Sequence, residues 1–173
     1  MDASTFLALV LSCAPQVHAD FARALVSTES SFNPWAIGVV GGALTRQPQQ
    51  KLEALSTARA LALGGHNFSV GLSQINVSNF ARLGLTLESA FDPCTNLAAM
   101  QSVLLECLDR TPRPTPTHDV DQSSLQRALS CYYSGNFVTG FRHGYVHKVL
   151  QAAARAKPNP PTSSTPPPSK ELK

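Results

Sequence analysis

The segment that decides the fold is Glu29-Ser30-Ser31-Phe32-Asn33-Pro34-Trp35-Ala36, residues 29–36, with the helix that precedes it. Over about residues 18–30, apolar positions recur at helical spacing and predict a buried face formed by Ala22, Leu25 and Val26. Glu29 is the next position on that face, and the proline ends the helix soon afterwards. Burial and the negative helix end should both raise the pKa of this carboxyl group, as a general acid requires. The alternative is a helix-end glutamate that turns to solvent or pairs with Arg23.

Composition limits the kind of protein. The chain has 173 residues, enough for one domain with a real core. Its net charge of +3 is too small to indicate nucleic-acid binding, and no apolar run approaches the roughly 18 residues of a membrane span. Residues 6–11 are apolar and residues 17–19 resemble a signal cleavage site, yet no Lys or Arg precedes them. We therefore expect a globular protein that does not span a membrane, without an evident signal peptide.

Apolar periodicity predicts a mainly helical chain with a small β-hairpin over residues 36–45, around Gly41-Gly42. Pro48 should open a helix over residues 48–63. The inward positions of that helix would be Leu52, Leu55, Ala58 and Ala62. Asp92-Pro93 reads as an N-cap followed by proline at the first helical position. The predicted helices cover about residues 3–13, 18–30, 48–63, 77–83, 93–108, 121–133 and 142–156.

The C-terminal part of the chain differs in composition. Residues 111–117 are rich in Pro and Thr and predict a loop, and residues 157–173 consist mainly of Pro, Ser, Thr and Lys. A segment of that composition cannot bury enough apolar surface to fold. We therefore expect one folded domain over residues 1–156 and a disordered tail over residues 157–173.

Three short segments occur in an order and spacing that resemble a known family. They are residues 29–36, Gly71-Leu72-Ser73-Gln74-Ile75-Asn76 and Cys131-Tyr132-Tyr133-Ser134-Gly135-Asn136. The motifs of the soluble lytic transglycosylases, which have a lysozyme-like fold, are E-S-x-F-x-P-x-A, G-L-M-Q-I-N and A-Y-N-x-G. Residues 92–96 and 140–146 further resemble the VirB-type transglycosylases of type IV secretion systems. The resemblance covers about residues 5–155.

The resemblance implies a mainly α, α+β lysozyme-like fold and an enzyme that cleaves peptidoglycan between N-acetylmuramic acid and N-acetylglucosamine. In this family one glutamate protonates the glycosidic oxygen and then accepts the proton of the muramoyl 6-hydroxyl, which closes a 1,6-anhydro ring. The matching residue is Glu29. No second carboxylate, cofactor or metal is required. The implied location is the periplasm, where the enzyme opens the cell wall for a secretion system whose other components are further partners.

The resemblance also implies a set of substrate-binding positions: Ser30, Ser73, Gln74, Asn76, Tyr132 and Tyr133. Ser30 would orient the acid or a sugar acetamido group, Gln74 would line the sugar cleft, and Tyr132 would direct its hydroxyl toward the acid. Ser73 and Tyr133 stand where the family usually has Met and Asn. The structural alternatives are a serine that bonds a helix carbonyl, turn residues that satisfy the backbone, and a tyrosine that packs in the core.

The cysteines and histidines allow several interpretations. Four cysteines without a C-x-x-C pair fit disulfides or buried thiols, in three possible connectivities. Related VirB-type sequences imply a bond between Cys13 and Cys94, which leaves Cys107 and Cys131 on consecutive helices in a poor register. The pair His143 and His147 has metal-ligand spacing, but no nearby carboxylate or cysteine completes a site, and we prefer a solvated face.

Two other functions are compatible with the same pattern. A hydrolytic lysozyme would need a second carboxylate. The nearby candidates, none in a motif position, are Asp20, Glu53, Glu88 and Asp92. A non-catalytic glycan-binding or assembly module would keep the fold with an inactive Glu29, but retention of both Glu29 and Tyr132 favours an enzyme.

Overall fold

The computed structural model of the chain describes residues 1–111 and 122–156. This part is mostly helical, with a small antiparallel sheet and a 3₁₀ turn at Val77–Asn79. The helices are α1 (Ala3–Cys13), α2 (Ala19–Ser30), α3 (Lys51–Leu63), α4 (Phe80–Leu83), α5 (Leu87–Ala90), α6 (Pro93–Asp109), α7 (Gln122–Ser134), α8 (Thr139–Arg142) and α9 (Tyr145–Ala156). The strands are β1 (Ile37–Val39), β2 (Phe68–Val70) and β3 (Ile75–Asn76). The predicted α+β fold class is confirmed.

The sheet pairs β1 with β2 and β2 with β3, all antiparallel. The strand pairing predicted over residues 36–45 is therefore wrong, because the partner of β1 lies beyond α3 and not after Gly41-Gly42. The side-chain amide of Gln47 accepts a hydrogen bond from Ile37 N at 2.8 Å and donates one to Ile37 O at 2.9 Å. It thus occupies the edge of β1 at which a second hairpin strand would pair.

The core is built around α2, which packs along α9. The positions predicted to be inward on α2 and α6 are buried, except for a half-buried Leu108. The buried ones are Ala22, Leu25 and Val26 on α2, and Leu97, Met100 and Leu104 on α6. This face of α2 is enclosed by the core. The side chain of Glu29 lies on the same face and therefore points toward the interior of the molecule.

Helix α3 begins later than predicted, three residues after Pro48. Two of its predicted inward positions are wrong, since Leu52 is 77% exposed and Ala62 is also exposed. The buried positions are Ala54, Leu55 and Ala58. The helix packs against the single turn of α5.

The helix predicted over residues 142–156 is two helices, α8 and α9. Gly144 separates them with a φ of 71°, in the left-handed region that glycine adopts without steric cost. The break resets the helical phase and directs Tyr145, the first residue of α9, into the interior, where it is 5% exposed. The break at Gly144 therefore places Tyr145 in the candidate active site described below.

Two predicted segments lie outside the described residues: most of the loop over residues 111–117 and the tail over residues 157–173. The domain boundary at residue 156 therefore stays a prediction. Within the described ranges, no helix combines the length and the apolar character that crossing a membrane demands.

Two disulfides join the helices. Cys13 of α1 is bonded to Cys94 in the first turn of α6, with their Cα atoms 5.3 Å apart. Cys107 of α6 is bonded to Cys131 of α7, with a Cα separation of 5.7 Å. Both expected pairings are confirmed, and the second is possible because α6 and α7 pack side by side. It fixes α7 immediately before Tyr132.

Candidate active site

Helix α2 ends one residue after Glu29, which is its penultimate residue. The next residues after that helix, Ser31 and Phe32, have φ angles of 51° and 63°, in the left-handed region. Such conformations of non-glycine residues cost on the order of 1–3 kcal/mol each and concentrate at functional sites. The Phe32 ring packs edge-on against Phe6 at a centroid distance of 5.1 Å, which holds the turn and the end of α2 in place.

A cleft of about 800 Å³ opens beside Glu29, and a second cavity of about 290 Å³ adjoins it. Glu29, Gly38 and Gln74 line both and therefore lie where the two cavities meet. The larger cleft runs between the small sheet and the helices α6 and α7. Its polar and aromatic lining includes Asn76, Arg82, Glu106, Arg110, Tyr133 and His143. An extended ligand can therefore pass over Glu29 and occupy both sides of it.

The Glu29 carboxyl group is largely withdrawn from water. Burial raises its pKa to about 7, and the hydrogen bond that the Tyr145 hydroxyl donates to Oε1 opposes that rise. No Lys, Arg or His among the described residues forms an ion pair with it, so the alternative pairing with Arg23 does not occur. A pKa near neutrality populates both protonation states at pH 7, which suits a group that first donates and then accepts a proton.

Two tyrosine hydroxyls lie near this carboxyl group, and they have different partners. The Tyr132 hydroxyl, predicted to be directed toward the acid, donates its hydrogen bond to the main-chain carbonyl of Ser73 at 2.7 Å and not to Glu29. Tyr145 makes the contact with Glu29 instead. Burial and the negative charge of Glu29 raise the pKa of both phenols well above its ordinary value, so both remain hydrogen-bond donors. Tyr132 lines the larger cleft, and its contact with substrate stays a prediction.

Tyr145 was missed as a site residue although residues 140–146 belong to the resemblance. A continuous helix over residues 142–156 gives no reason to place its hydroxyl at Glu29. The available signal was Gly144, since a glycine often ends one helix and allows another to begin. The contact itself joins α2 to α9, 116 residues later in the chain, and no local pattern encodes it.

Tyr133 and His143 extend the aromatic wall of the cleft. The Tyr133 ring stacks on Tyr145 with centroids 4.6 Å apart and an interplanar angle of 19°. Its hydroxyl lies 3.2 Å from His143 Nδ1. Tyr133 is 44% exposed, so it covers Tyr145 and presents an aromatic surface to the cleft. His147 contacts Gln151 at 2.8 Å instead, and the two histidines do not share a site.

Gln74 is fixed at the junction of the two cavities. Its φ of 50° is again left-handed, and its Nε2 donates to Ala36 O at 3.1 Å and to Gly71 O at 3.0 Å. Its Oε1 faces Gly38, where an added Cβ atom would lie only 2.7 Å away. The amide therefore satisfies backbone carbonyls, as the structural alternative proposed, and it also lines both cavities. Its role in binding sugar stays a prediction.

Asn76 and Ser30 occupy opposite sides of this junction. The Asn76 amide donates to Asn67 Oδ1 at 2.8 Å and to Ser69 Oγ at 3.2 Å, in the wall of the larger cleft. The Ser30 hydroxyl donates to the helix carbonyl of Val26 at 3.3 Å, although the residue lines the smaller cavity. Both side chains thus already have protein partners.

Ser73 does not reach the ligand-accessible surface. It is fully buried, lines neither cavity, and its Oγ has no hydrogen-bond partner. Its main chain is held instead: the N–H donates to Asn96 Oδ1 at 2.8 Å, and the carbonyl accepts from Tyr132. The buried Asn96, from the segment over residues 92–96, therefore positions residues 71–76 against α6.

The four carboxylates that a lysozyme mechanism would draw on have structural partners. Asp92 caps α6, accepting from Thr95 N at 2.8 Å, and Asp20, Glu53 and Glu88 approach His18, Arg46 and Arg59. None of the four lines either cavity. The second carboxylate of the larger cleft, within the part of the chain that is described, is Glu106, which forms an ion pair with Arg82.

Residues 1–111 and 122–156 contain no group of three His, Cys, Asp or Glu side chains able to hold a metal ion.

Comparison with known proteins gives a consistent result. Residues 7–152 match the family described as "Transglycosylase SLT domain". The chain is 44% identical over 153 residues to "Type IV secretion system protein virB1" of Brucella abortus biovar 1 (strain 9-941), covering 86% of this chain and 63% of that protein. It is 38% identical over 146 residues to "Protein virB1" of Agrobacterium fabrum, covering 84% and 58% of the two chains. The chain thus spans about three fifths of the length of these relatives. No solved structure gives a significant match.

Proposed function

Because the chain belongs to the Transglycosylase SLT domain family, we propose that it is a peptidoglycan lytic transglycosylase. Its reaction cleaves the β-1,4 bond between N-acetylmuramic acid and N-acetylglucosamine and leaves a 1,6-anhydro-muramoyl end. The observation that carries this proposal is the position of Glu29. Its carboxyl group lies where two cavities meet, has a pKa of about 7 and accepts a hydrogen bond from Tyr145.

In the first step, protonated Glu29 donates its proton to the glycosidic oxygen. Because Tyr145 occupies Oε1, Oε2 is the atom available to carry the transferable proton. The bond from the muramoyl C1 breaks, its electron pair stays with the leaving oxygen, and positive charge develops on the sugar. Glu29 becomes negatively charged, and the hydrogen bond from Tyr145 stabilises that charge in a site poor in water.

In the second step, Glu29 accepts the proton of the muramoyl 6-hydroxyl while that oxygen bonds to C1. The ring closes, no water is consumed, and Glu29 returns to its protonated form. The nucleophile is tethered to the reacting sugar, which gives it an effective concentration that free water lacks. One carboxyl group with a pKa near neutrality is sufficient for both proton transfers.

The corresponding cellular role is local opening of the cell wall during assembly of a type IV secretion system. The names of the Brucella and Agrobacterium relatives support this role, because both refer to virB1 and the first to type IV secretion. Peptidoglycan is in the envelope, so the chain acts in the periplasm, and other components of the secretion apparatus are its further partners.

Mass analysis of the products from purified peptidoglycan tests the proposal. The expected muropeptides end in 1,6-anhydro-muramic acid and are one water lighter than hydrolysed products. Glu29→Gln protein, with its folding verified by circular dichroism, serves as the inactive control. Dominant reducing ends would identify a lysozyme, with Glu106 the carboxylate to investigate next. Binding of glycan without any cleavage would identify a non-catalytic module.

A further inference from the structure

Among the described residues, one guanidinium group that lines the larger cleft has no acidic partner. Arg110, at the C-terminal end of α6, lines the same cleft as Glu29. Its nitrogen atoms approach Gly135 O at 3.4 Å and the sulfur of Cys131 at 3.9 Å. Its central carbon lies 5.9 Å from the centroid of the Phe137 ring. These contacts hold the side chain in the cleft but do not neutralise its charge.

The nearby charges leave this part of the cleft positive. Arg82 forms an ion pair with Glu106, and Arg46 and Arg59 likewise pair with glutamates elsewhere. No carboxylate of the described residues forms an ion pair with Arg110. Glu29, with a pKa of about 7, is only partly ionised at pH 7, and Arg110 is the arginine of the cleft that pairs with no carboxylate of the described residues. A ligand carboxylate can therefore bind Arg110 without displacing a carboxylate of the described residues.

The proposed substrate carries carboxylates in one place only. The sugar rings and acetamido groups of the glycan are uncharged, whereas the lactyl group of each muramoyl residue bears either a free carboxylate or a peptide that has free carboxylates. Resting on the proposed function, we propose that Arg110 binds a carboxylate borne by a muramoyl residue bound away from the scissile bond. Arginine suits this contact, because its planar fork pairs with both oxygens of a carboxylate. The chain would thus prefer glycan that keeps these carboxylates free.

The test measures binding of soluble glycan fragments to Glu29→Gln protein by calorimetry, so that no cleavage interferes. Three fragments of the same length are compared: one with peptides whose carboxylates are free, one stripped to the lactyl carboxylate, and one whose carboxylates are all capped as amides. We expect capping to weaken binding about five- to tenfold, between the effects of an exposed ion pair and of a charge-assisted hydrogen bond. The stronger of the two uncapped fragments identifies the source of the carboxylate.

Arg110→Gln, added to the same background, should bind all three fragments with the affinity that the parent shows for the capped one. Arg155→Gln is the matched control, since it removes an arginine from the last turn of α9 that lines neither cavity. Its discrimination between free and capped fragments should equal that of the parent. A general disturbance of the cleft by Arg110→Gln would weaken all three fragments equally and would overturn the inference.

Equal affinity of the parent for free and capped fragments would also overturn it. The two proposals fail separately in these experiments. An absence of anhydro products from wild-type protein contradicts the proposed reaction, while carboxylate-dependent binding through Arg110 is measured without any turnover.

Discussion

Among the described residues, the two glutamates that line the larger cleft, Glu29 and Glu106, have opposite environments. Glu29 is withdrawn from water and bonded to a tyrosine hydroxyl, with no cation of the described residues in an ion pair with it. Glu106 is 51% exposed and pairs with Arg82. Burial therefore destabilises the ionised form of the Glu29 carboxyl group, whereas water and a guanidinium group stabilise the ionised form of Glu106. Environment, more than residue type, selects which of the two can act as an acid near neutral pH.

The comparison also shows how the protein builds the acidic site. The residues around Glu29 adopt unfavourable backbone conformations at Ser31, Phe32 and Gln74, whereas Glu106 stands within the regular helix α6. Packing contacts, such as that between Phe32 and Phe6, hold these unfavourable conformations near Glu29 in place. The region around Glu106 requires no such support. Substitutions at the two positions should therefore differ in kind as well as in size.

The largest expected effect is on turnover. Glu29→Gln should lower kcat by about 10²–10⁴-fold, because the amide can neither donate nor accept the proton of general acid–base catalysis. Glu106→Gln is the matched control and should keep most of the turnover, since an exposed ion pair contributes at most about 1 kcal/mol. Release of soluble muropeptides over time measures both. A Glu29→Gln protein that retained more than about a tenth of wild-type kcat would remove Glu29 from the mechanism.

A smaller effect is expected on the free energy of unfolding. Glu29→Gln, which lowers turnover, should raise stability relative to wild type as the pH increases. The pKa of Glu29 is about 7 in the folded chain against an ordinary value of 4.5, so the folded state binds more protons between these values. Unfolding free energy contributed by this group therefore falls as the pH rises from about 4.5 through 7, by about 3 kcal/mol in total. Glutamine does not titrate, so the stability of Glu29→Gln relative to wild type should rise by about that amount between about pH 4 and pH 9.

Urea unfolding of both proteins across this pH range measures the difference. Glu106→Gln again provides the control, with a change below about 1 kcal/mol at each pH. A stability difference between Glu29→Gln and wild type that stayed constant with pH would show that Glu29 does not have a raised pKa.

The smallest of these effects concerns Tyr145. Tyr145→Phe removes the hydrogen bond that lowers the pKa of Glu29, so that pKa should rise. The limb of the pH–kcat profile that reports loss of the acid should then shift to higher pH, and kcat should fall about tenfold through weaker stabilisation of the carboxylate. Tyr132→Phe loses a bond to the carbonyl of Ser73 and should leave that limb in place. An equal shift in both variants would contradict the distinct roles assigned to the two tyrosines.

Much of the fold followed from local patterns. The spacing of apolar residues and the capping signals predicted α1 over residues 3–13 and the approximate bounds of α2, α6 and α7. The same periodicity predicted that Glu29 points inward, which its raised pKa agrees with. Such features are predictable because a helix fixes the direction of each side chain relative to its neighbours within a few residues.

The errors arose where separate elements meet. The predicted strand partner of β1 was wrong. The side chain of Gln47 bonds to one edge of β1 and the strand beyond α3 pairs with it, and no local sequence pattern indicates either contact. The phase of the last helix was wrong because Gly144 interrupts it. These choices depend on packing between distant parts of the chain.

The sequence by itself determined the mainly helical fold, the position of Glu29 on the enclosed face of α2 and the family to which the chain belongs. Only the tertiary structure decided that Tyr145 rather than Tyr132 contacts that carboxyl group, and that Glu106 and Arg110 share its cleft. The physical reason is the range of the interactions. Helical periodicity is a short-range property of the backbone, whereas a hydrogen bond between α2 and α9 exists only after both helices have packed.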